Sequence, residues 1–371
     1  MRFTDCIDIT GESCKTFDGN KKYISTGAVD VDHIVQSQIE LVSYDSKPSR
    51  ANLMTDDKSI LFAKMQGTKK ILLINEDLKE NVYSTGFFSV APKNNILNKE
   101  CLYHLLGSKA FLNQKDKYCS GATQKAITLD GLNKIEINIP KLEEQNQIAK
   151  RLDVIKRILD SNDLALKKYD DLIKARFVEM IGDPQINEKG FTKASMGEYL
   201  SLLTDFSSNG SYKALDSGVT MYDEPNYAWM VRTTDLESGD MSSIKYIDKK
   251  AYELLSKSKI FGGEIIMNKI GSAGKIYIMP KLTMPASLGR NAFMFRYDER
   301  INNIFMYYLL TSDYGQREIQ QYVRGAVTKT ITKDDARSVL IIVPPLELQQ
   351  QFAGFVQQVD KSKFNNLILH K

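Results

Sequence analysis

Residues 139–183 read IPKLEEQNQIAKRLDVIKRILDSNDLALKKYDDLIKARFVEMIGD, and this stretch decides the fold. Pro140 closes an apolar run and suits the first turn of a helix, where its missing N–H costs nothing. Apolar residues follow at Ile148, Leu152, Ile155, Leu159, Leu166, Tyr169, Ile173 and Met180. Asn162 and Arg176 fill the vacant positions, so the steps alternate between four and three. A 3.5-residue period keeps one stripe facing a partner helix and marks a coiled-coil seam. Gly182 and Pro184 stop the helix. About 40 residues at ~1.5 Å each make a rod of roughly 60 Å. One such helix cannot bury its own stripe, so a second helix is required.

The chain supplies one 204 residues later. Tyr118-Cys-Ser-Gly-Ala-Thr-Gln-Lys-Ala-Ile127 aligns without a gap on Tyr322-Val-Arg-Gly-Ala-Val-Thr-Lys-Thr-Ile331. The same register places Pro140 on Pro344, Leu142 on Leu346, Glu143 on Glu347, Gln145 on Gln349 and Ala149 on Ala353. Seam residues Ile148, Leu152 and Ile155 fall on Phe352, Val356 and Val359, and Asn162 on Asn366. One register held over so many positions is an internal duplication. The reading that follows is an α+β chain of two homologous mixed α/β domains, residues 1–139 and 183–343. A long central helix, 140–182, and a short distal one, 344–371, form an antiparallel coiled coil between them.

Inside the first domain, Ile60-Leu-Phe62 and Ile71-Leu-Leu-Ile74 read as short strands, and Leu102-Tyr-His-Leu-Leu106 as a helix. The second domain repeats the order. Ile24-Ser-Thr26 matches Val231-Arg-Thr233, and Tyr103-His-Leu-Leu106 matches Tyr307-Tyr-Leu-Leu310. Lys64 and Lys70 match Lys269 and Lys275, one residue off the later register. The framework agrees while the intervening loops differ, as two copies of one scaffold fitted to two targets would. The distal helix loses its seam past Val359, where Lys363 and His370 stand for Leu159 and Leu166. The far end of the central helix is therefore expected to lack a cover within the chain.

A length of 371 residues with 42% hydrophobic content permits two or three soluble domains. No run approaches the ~18 apolar residues of a membrane span, and the N-terminal MRFTDCIDITGES lacks a signal-peptide core, so a cytoplasmic protein is expected. Cys6, Cys14, Cys101 and Cys119 all lie in the first half and read as reduced thiols, because a duplicated disulfide framework would recur in both halves. The net charge of +4 allows nucleic-acid binding without demanding it.

Catalytic motifs are missing. His33, His104 and His370 have no metal-ligand spacing. Gly271-Ser-Ala-Gly-Lys275 is too short for a phosphate loop, carries Ile276 where a hydroxyl is needed, and reads as a turn between strands. Phe261-Gly-Gly263 has the wrong glycine spacing for a dinucleotide fingerprint. Val343-Pro-Pro-Leu346 lacks the polar residue and ring of an amino-methyltransferase loop. The chain by itself is expected to be non-catalytic.

Two segments, Gly121–Gln145 and Gly325–Gln349, share a Gly-Ala turn, a run that reads Ile-x-Ile-x-x-Pro in the first copy and Val-x-Ile-x-x-Pro in the second, and a Leu-Glu-x-Gln helix entry. With Ser84-Thr-Gly-Phe87 and Trp229-Met-Val-Arg-Thr233, they make the whole chain resemble the specificity subunits of type I restriction–modification systems. The resemblance implies two target recognition domains, each reading half of a split, asymmetric double-stranded DNA target, with the helices as spacer. It implies methyltransferase and restriction/translocase subunits as partners, no membrane, and no cofactor on this subunit. S-adenosylmethionine, ATP and Mg2+ would belong to the other subunits. Candidate DNA contacts on framework loops are Thr26, Lys64, Lys69, Lys70 and Lys125, then Arg232, Thr233, Lys269, Lys275, Arg290, Arg324 and Lys329. Lys125 and Lys329 are kept in both copies but lie beside the coil, where packing or a partner would use them equally well. Asn162 also reads as a register-setting seam residue, and Tyr118 and Tyr322 as core. The competing reading is a coiled-coil scaffold, or a shortened cassette-type variant, without sequence-specific reading of its own.

Overall fold

The computed structural model describes residues 1–368, with side chains through residue 363. Two compact units divide between Ser161 and Asn162, inside the long helix Leu142–Ile181. Glu143 and Glu144 complement the dipole at its start. Gly182, at φ +81°, takes the left-handed conformation that ends it, and its N–H returns to the Val178 carbonyl at 2.8 Å.

Each unit is built from the same strand order. In the first unit, Ile7–Ile9, Phe87–Pro92, Ile60–Ala63 and Ile71–Leu73 form an antiparallel sheet in that order. The second unit lays down Leu200–Asp205, Ala292–Tyr297, Ile265–Asn268 and Ile276–Ile278 in the same sequence. A further sheet in each unit contains one parallel pair, Lys21–Ile24 with Val82–Ser84 and Ala228–Val231 with Ala286–Leu288. The strands Ile60–Ala63 and Ile265–Asn268 are buried along their whole length, which suits their continuous apolar runs. Phe3, Phe62, Leu102, Leu106 and Phe111 centre one core, and Phe295, Phe305, Leu309, Ile341 and Phe352 another.

The motif Pro-x-Leu-Glu-x-Gln has a structural reason. The buried Gln145 accepts from the Asn98 N–H at 3.0 Å and donates to the carbonyls of Ile96 at 2.7 Å and Pro140 at 2.9 Å. Gln349 repeats the pattern 204 residues on. It accepts from Asn302 at 2.9 Å and donates to Arg300 at 3.1 Å and Pro344 at 2.9 Å. One amide thus ties each long helix to its own globule through three hydrogen bonds, and a buried amide left unpaired would be costly.

The two halves of the long helix meet different surroundings, and they reverse the expectation drawn from the decaying seam. The far half is covered within the chain, because an antiparallel closing helix brings its apolar first turns against residues 173–180, and the half after Pro140 is the exposed one. In the second unit, Ile173, Phe177 and Met180 pack on Phe352, Val356 and Val359 of the closing helix Leu346–Ile368. Phe177 and Phe352 sit 5.3 Å apart in an edge-on pair, and Arg176 lies over Phe355. Lys363 reaches Asp170 at 2.6 Å, so rising numbers on one helix meet falling numbers on the other. These two segments run antiparallel, with Tyr169 partly buried against the same core. Where the apolar pattern lapses at Lys363, an ion pair takes over. In the first unit the helix turns a polar and small face inward. Ala149 is buried, Asp153 pairs with His104 at 2.8 Å, and Lys156 with Asp32 at 2.6 Å. The stripe Ile148, Leu152, Ile155 and Leu159 is exposed, while Asn162 and Leu166 are half-buried. The seam positions Asn366 and His370 fall outside the residues whose side chains are described.

Candidate nucleic-acid interface

The duplicated Gly-Ala segments form one hairpin, built twice. Ser120 and Ala126 exchange backbone hydrogen bonds at 3.0 Å, and Arg324 and Thr330 do so at 2.8–2.9 Å. Gly121 (φ +135°) and Gly325 (φ +106°) open the two loops. A Cβ at these places would lie 2.5 Å from the Gln124 carbonyl oxygen and 2.1 Å from that of Thr328, so only glycine fits. The loop after each buried strand is stitched to its hairpin by matching bonds. In the first unit these are Gln66 N to Lys125 O at 3.0 Å and Ile127 N to Lys64 O at 2.9 Å. In the second they are Gly271 N to Lys329 O at 2.9 Å and Ile331 N to Lys269 O at 3.1 Å. The strand turns join the same place, through Lys64 N to Gly86 O and Lys269 N to Asn291 O. Three loops far apart in sequence therefore converge in each unit.

In the first unit this convergence gathers Lys64, Lys125 and the neighbouring Lys69, Lys70 and Thr26. The Lys70 ammonium donates to the Thr26 carbonyl at 2.8 Å. The Lys64 ammonium sits 4.4 Å from the centre of the Phe88 ring, half-buried, and burial lowers its pKa below the usual lysine range. Lys69 and Lys125 are exposed. Lys115, which the sequence reading did not single out, is buried in the helix Lys109–Lys117. It donates to the carbonyls of Met65 and Thr68 at 2.8 and 2.9 Å, which holds the 64–70 loop rigid.

In the second unit the same place carries Lys269, Arg290, Arg324 and Lys329. Lys269 and Lys333 both reach Asp205 at 2.8 Å, and Lys333 also donates to Ser208 at 2.7 Å. Burial pulls the Asp205 carboxyl upward, but the two ammonium groups and Ser208 hold it down at about 2. With Ser207, Ser208 and Phe293 these groups line an open cavity of about 400 Å³. Arg290 pairs with Asp216 at 3.1 Å and lies over the rings of Phe206 and Tyr212. Arg324 pairs with Asp335 at 2.9 Å, and Lys275 with Glu237. Lys329 is exposed without a carboxylate partner.

Arg232 and Thr233 take a different position from the free loop expected of them. Thr233 opens the short helix Thr233–Ser238, and Arg232 precedes it. The Arg232 guanidinium grips the buried Asp235 through Nε and Nη2 and donates to the Ser243 carbonyl at 2.7 Å, while the Trp229 indole also reaches Asp235. This clamp is internal to the unit. Asp205, Lys333 and Asp235 escaped the sequence reading because each lies far from its partner in sequence or occupies a position that the first unit fills otherwise. Tyr118 and Tyr322 are partly buried against their cores. Among the described residues, no group of three His, Cys, Asp or Glu gathers as metal ligands, and no helix is long and apolar enough to cross a membrane.

One scaffold presenting two differently equipped sets of loops, each tied by a glutamine to its own long helix, defines a duplicated recognition module. The family model described as "Type I restriction modification DNA specificity domain" matches twice, over residues 7–168 and 189–369. The chain belongs to this family and carries two copies of its domain. The MjaVIII specificity subunit of Methanocaldococcus jannaschii is 24% identical over 298 residues, which are 76% of this chain and 68% of that protein. The EcoBI specificity subunit of Escherichia coli is 23% identical over 282 residues, 71% of this chain and 59% of that protein. The chain thus spans roughly two thirds or less of these relatives' lengths. A structure of the type I S subunit from M. genitalium covers 100% of this chain and 91% of its own, with a TM-score of 0.55 and 15% identity. A chain from a type I system studied for complex assembly and conformational transition gives a TM-score of 0.51 at 21% identity, covering 100% of this chain and 93% of that one. At these identities the likeness to the solved structures is one of fold.

Proposed function

We propose that this chain is the DNA-reading specificity subunit of a type I restriction–modification complex. Its role is recognition, and methylation and cleavage belong to partner subunits, with S-adenosylmethionine, ATP and Mg2+ bound there. Residues 1–139 and 183–343 act as two target recognition domains, each reading one half of a split, asymmetric duplex target. Helices 140–182 and 344–371 set the gap. The observation that carries this reading is the loop cluster built twice on identical backbone bonds and furnished with different side chains. Identical scaffolds present readers in the same manner, and different side chains give the two halves different sequences. The exposed stripe Ile148, Leu152, Ile155 and Leu159 supports docking of a methyltransferase subunit there, because an unpartnered seam of this kind needs a helix against it. Restriction/translocase subunits join the same complex, in the cytoplasm.

The test is co-expression with the cognate methyltransferase, followed by genome-wide mapping of modified bases by long-read sequencing. A split motif with a fixed gap is the expected result. An uninterrupted half-motif would mean that one unit alone reads. No modification despite a stable complex would favour the coiled-coil scaffold.

A further inference from the structure

We propose that the first unit supplies the charge that holds DNA phosphates, whereas the second unit meets its half of the target with cations already committed to its own carboxylates. This rests on the DNA-reading function above and assigns different work to the two halves.

The ion pairs divide cleanly. In the first unit Lys64, Lys69, Lys70 and Lys125 have no carboxylate partner, and Lys70 donates only to a backbone carbonyl. Arg50, whose carbonyl accepts from the Thr85 N–H beside the same turn, is likewise unpaired and exposed. In the second unit Arg232, Lys269, Lys275, Arg290 and Arg324 are each held by an acid, respectively Asp235, Asp205, Glu237, Asp216 and Asp335. Lys329 is the one cationic candidate of that unit without a carboxylate, and outside the candidates the exposed Lys213 beside Tyr212 is unpaired, as Arg50 is in the first unit.

The difference is written into the aligned positions. The hairpin register that sets Tyr118 on Tyr322 places Gly131 where Asp335 stands, and Ser120 where Arg324 stands. Lys64 and Lys269 occupy the same backbone position, each beside an equivalent ring, Phe88 or Phe293. Lys269 has Asp205 against it at 2.8 Å. Lys64 has only the ring and a half-buried setting, so its charge lacks a counter-ion that DNA would bring.

An ion pair at contact distance looks neutral from beyond a Debye length of about 8–10 Å. A phosphate approaching the second unit meets the carboxylates together with the cations. Exposed pairs such as Lys275–Glu237 can open, but the acid stays beside the site. Each phosphate neutralised by a protein cation adds about 0.9 to the slope of log affinity against log salt. That slope should therefore come mainly from the first unit.

The experiment measures affinity for a mixed-sequence duplex over a KCl series, using the full chain in complex with its cognate methyltransferase. Lys64→Gln with Lys69→Gln and Lys125→Gln should flatten the slope by roughly 2–3. The exposed pair Lys69→Gln with Lys125→Gln, which cannot disturb the core, should flatten it by about 2. Charge-neutral replacement in the second unit combines Lys275→Gln with Glu237→Gln, Arg290→Gln with Asp216→Asn, and Arg324→Gln with Asp335→Asn. It should change the slope by less than about 1. Equal flattening by the two sets would show the cations leaving their carboxylates for phosphates and would overturn the proposal. So would an unchanged slope in the Lys69/Lys125 variant. Binding by the unaltered complex that ignores both salt and sequence would instead sink the DNA-reading function itself.

Discussion

The first turns of the two long helices carry the same sequence positions into opposite surroundings. Ile148, Leu152 and Ile155 are 37%, 37% and 52% exposed, whereas their counterparts Phe352, Val356 and Val359 are 0%, 3% and 6% exposed. Both helices are tied to their globules by the same glutamine, so the attachment does not explain the contrast. The closing helix has the second half of the long helix beside it, and the first half of the long helix has no equivalent neighbour among the described residues. A seam pattern in sequence therefore states a need for a partner and leaves open who supplies it.

Substitutions can break or sharpen this contrast. Phe352→Ala should cost about 3–5 kcal/mol, because a large ring leaves a cavity between Phe177, Phe305 and Tyr308. Ile148→Ala at the matching position should stay within ~0.5 kcal/mol in the chain alone. Denaturant unfolding of both variants measures the difference, and equal losses would mean that the first stripe is covered after all. Smaller effects, about 1–3 kcal/mol each, are expected from Gly121→Ala and Gly325→Ala, since a Cβ meets a carbonyl oxygen in both hairpins. Here the two units should respond alike, in contrast to the helices.

Next comes acid. The depressed Asp205 carboxyl contributes stability that is complete above its unfolded pKa near 4 and is lost as pH falls toward about 2. The effect is at most about 2.5 kcal/mol and less after solvent screening at the open cavity. Thermal midpoints between pH 5 and 2 should fall less steeply for Asp205→Asn than for the unaltered chain. An identical decline would remove Asp205 as the latch of that loop. The smallest effect should come from Lys363→Ala. Its pair with Asp170 is solvent-facing on one side and is worth only ~0.2–1 kcal/mol. A loss near that of Phe352→Ala would show the ion pair, rather than the rings, holding the helices together.

Much of this architecture was legible in the chain. The 3.5-residue spacing announced the long helix, and Gly182 its end. The 204-residue register foretold that Gln145 and Gln349, or Gly121 and Gly325, would have the same surroundings, because repeated backbone geometry demands repeated residues. The lysine and arginine candidates were gathered by framework position, and the loops do bring Lys64 beside Lys125 and Lys269 beside Lys329. The partners of those cations were not legible. Asp205 lies 64 residues from Lys269 and Asp216 lies 74 from Arg290, and no periodicity links a charge to an acid across such distances. Arg232 shows the same limit. Its match to Ser25, inside the pair Ile24-Ser-Thr26 and Val231-Arg-Thr233, places it on a framework loop, whereas its clamp on Asp235 depends on a three-residue spacing at the start of a short helix that offers an ion pair as readily as a free side chain.

The cover of the second half-helix has a consequence for synthesis. Ile173, Phe177 and Met180 leave the ribosome roughly 170 residues before Phe352, Val356 and Val359, which bury them. At about 5–20 residues per second, that interval is on the order of 10–30 s. Throughout it, the nascent chain carries an oily ridge whose proper mate has yet to be translated. Chaperones, or a subunit made at the same time, have that long to claim it first.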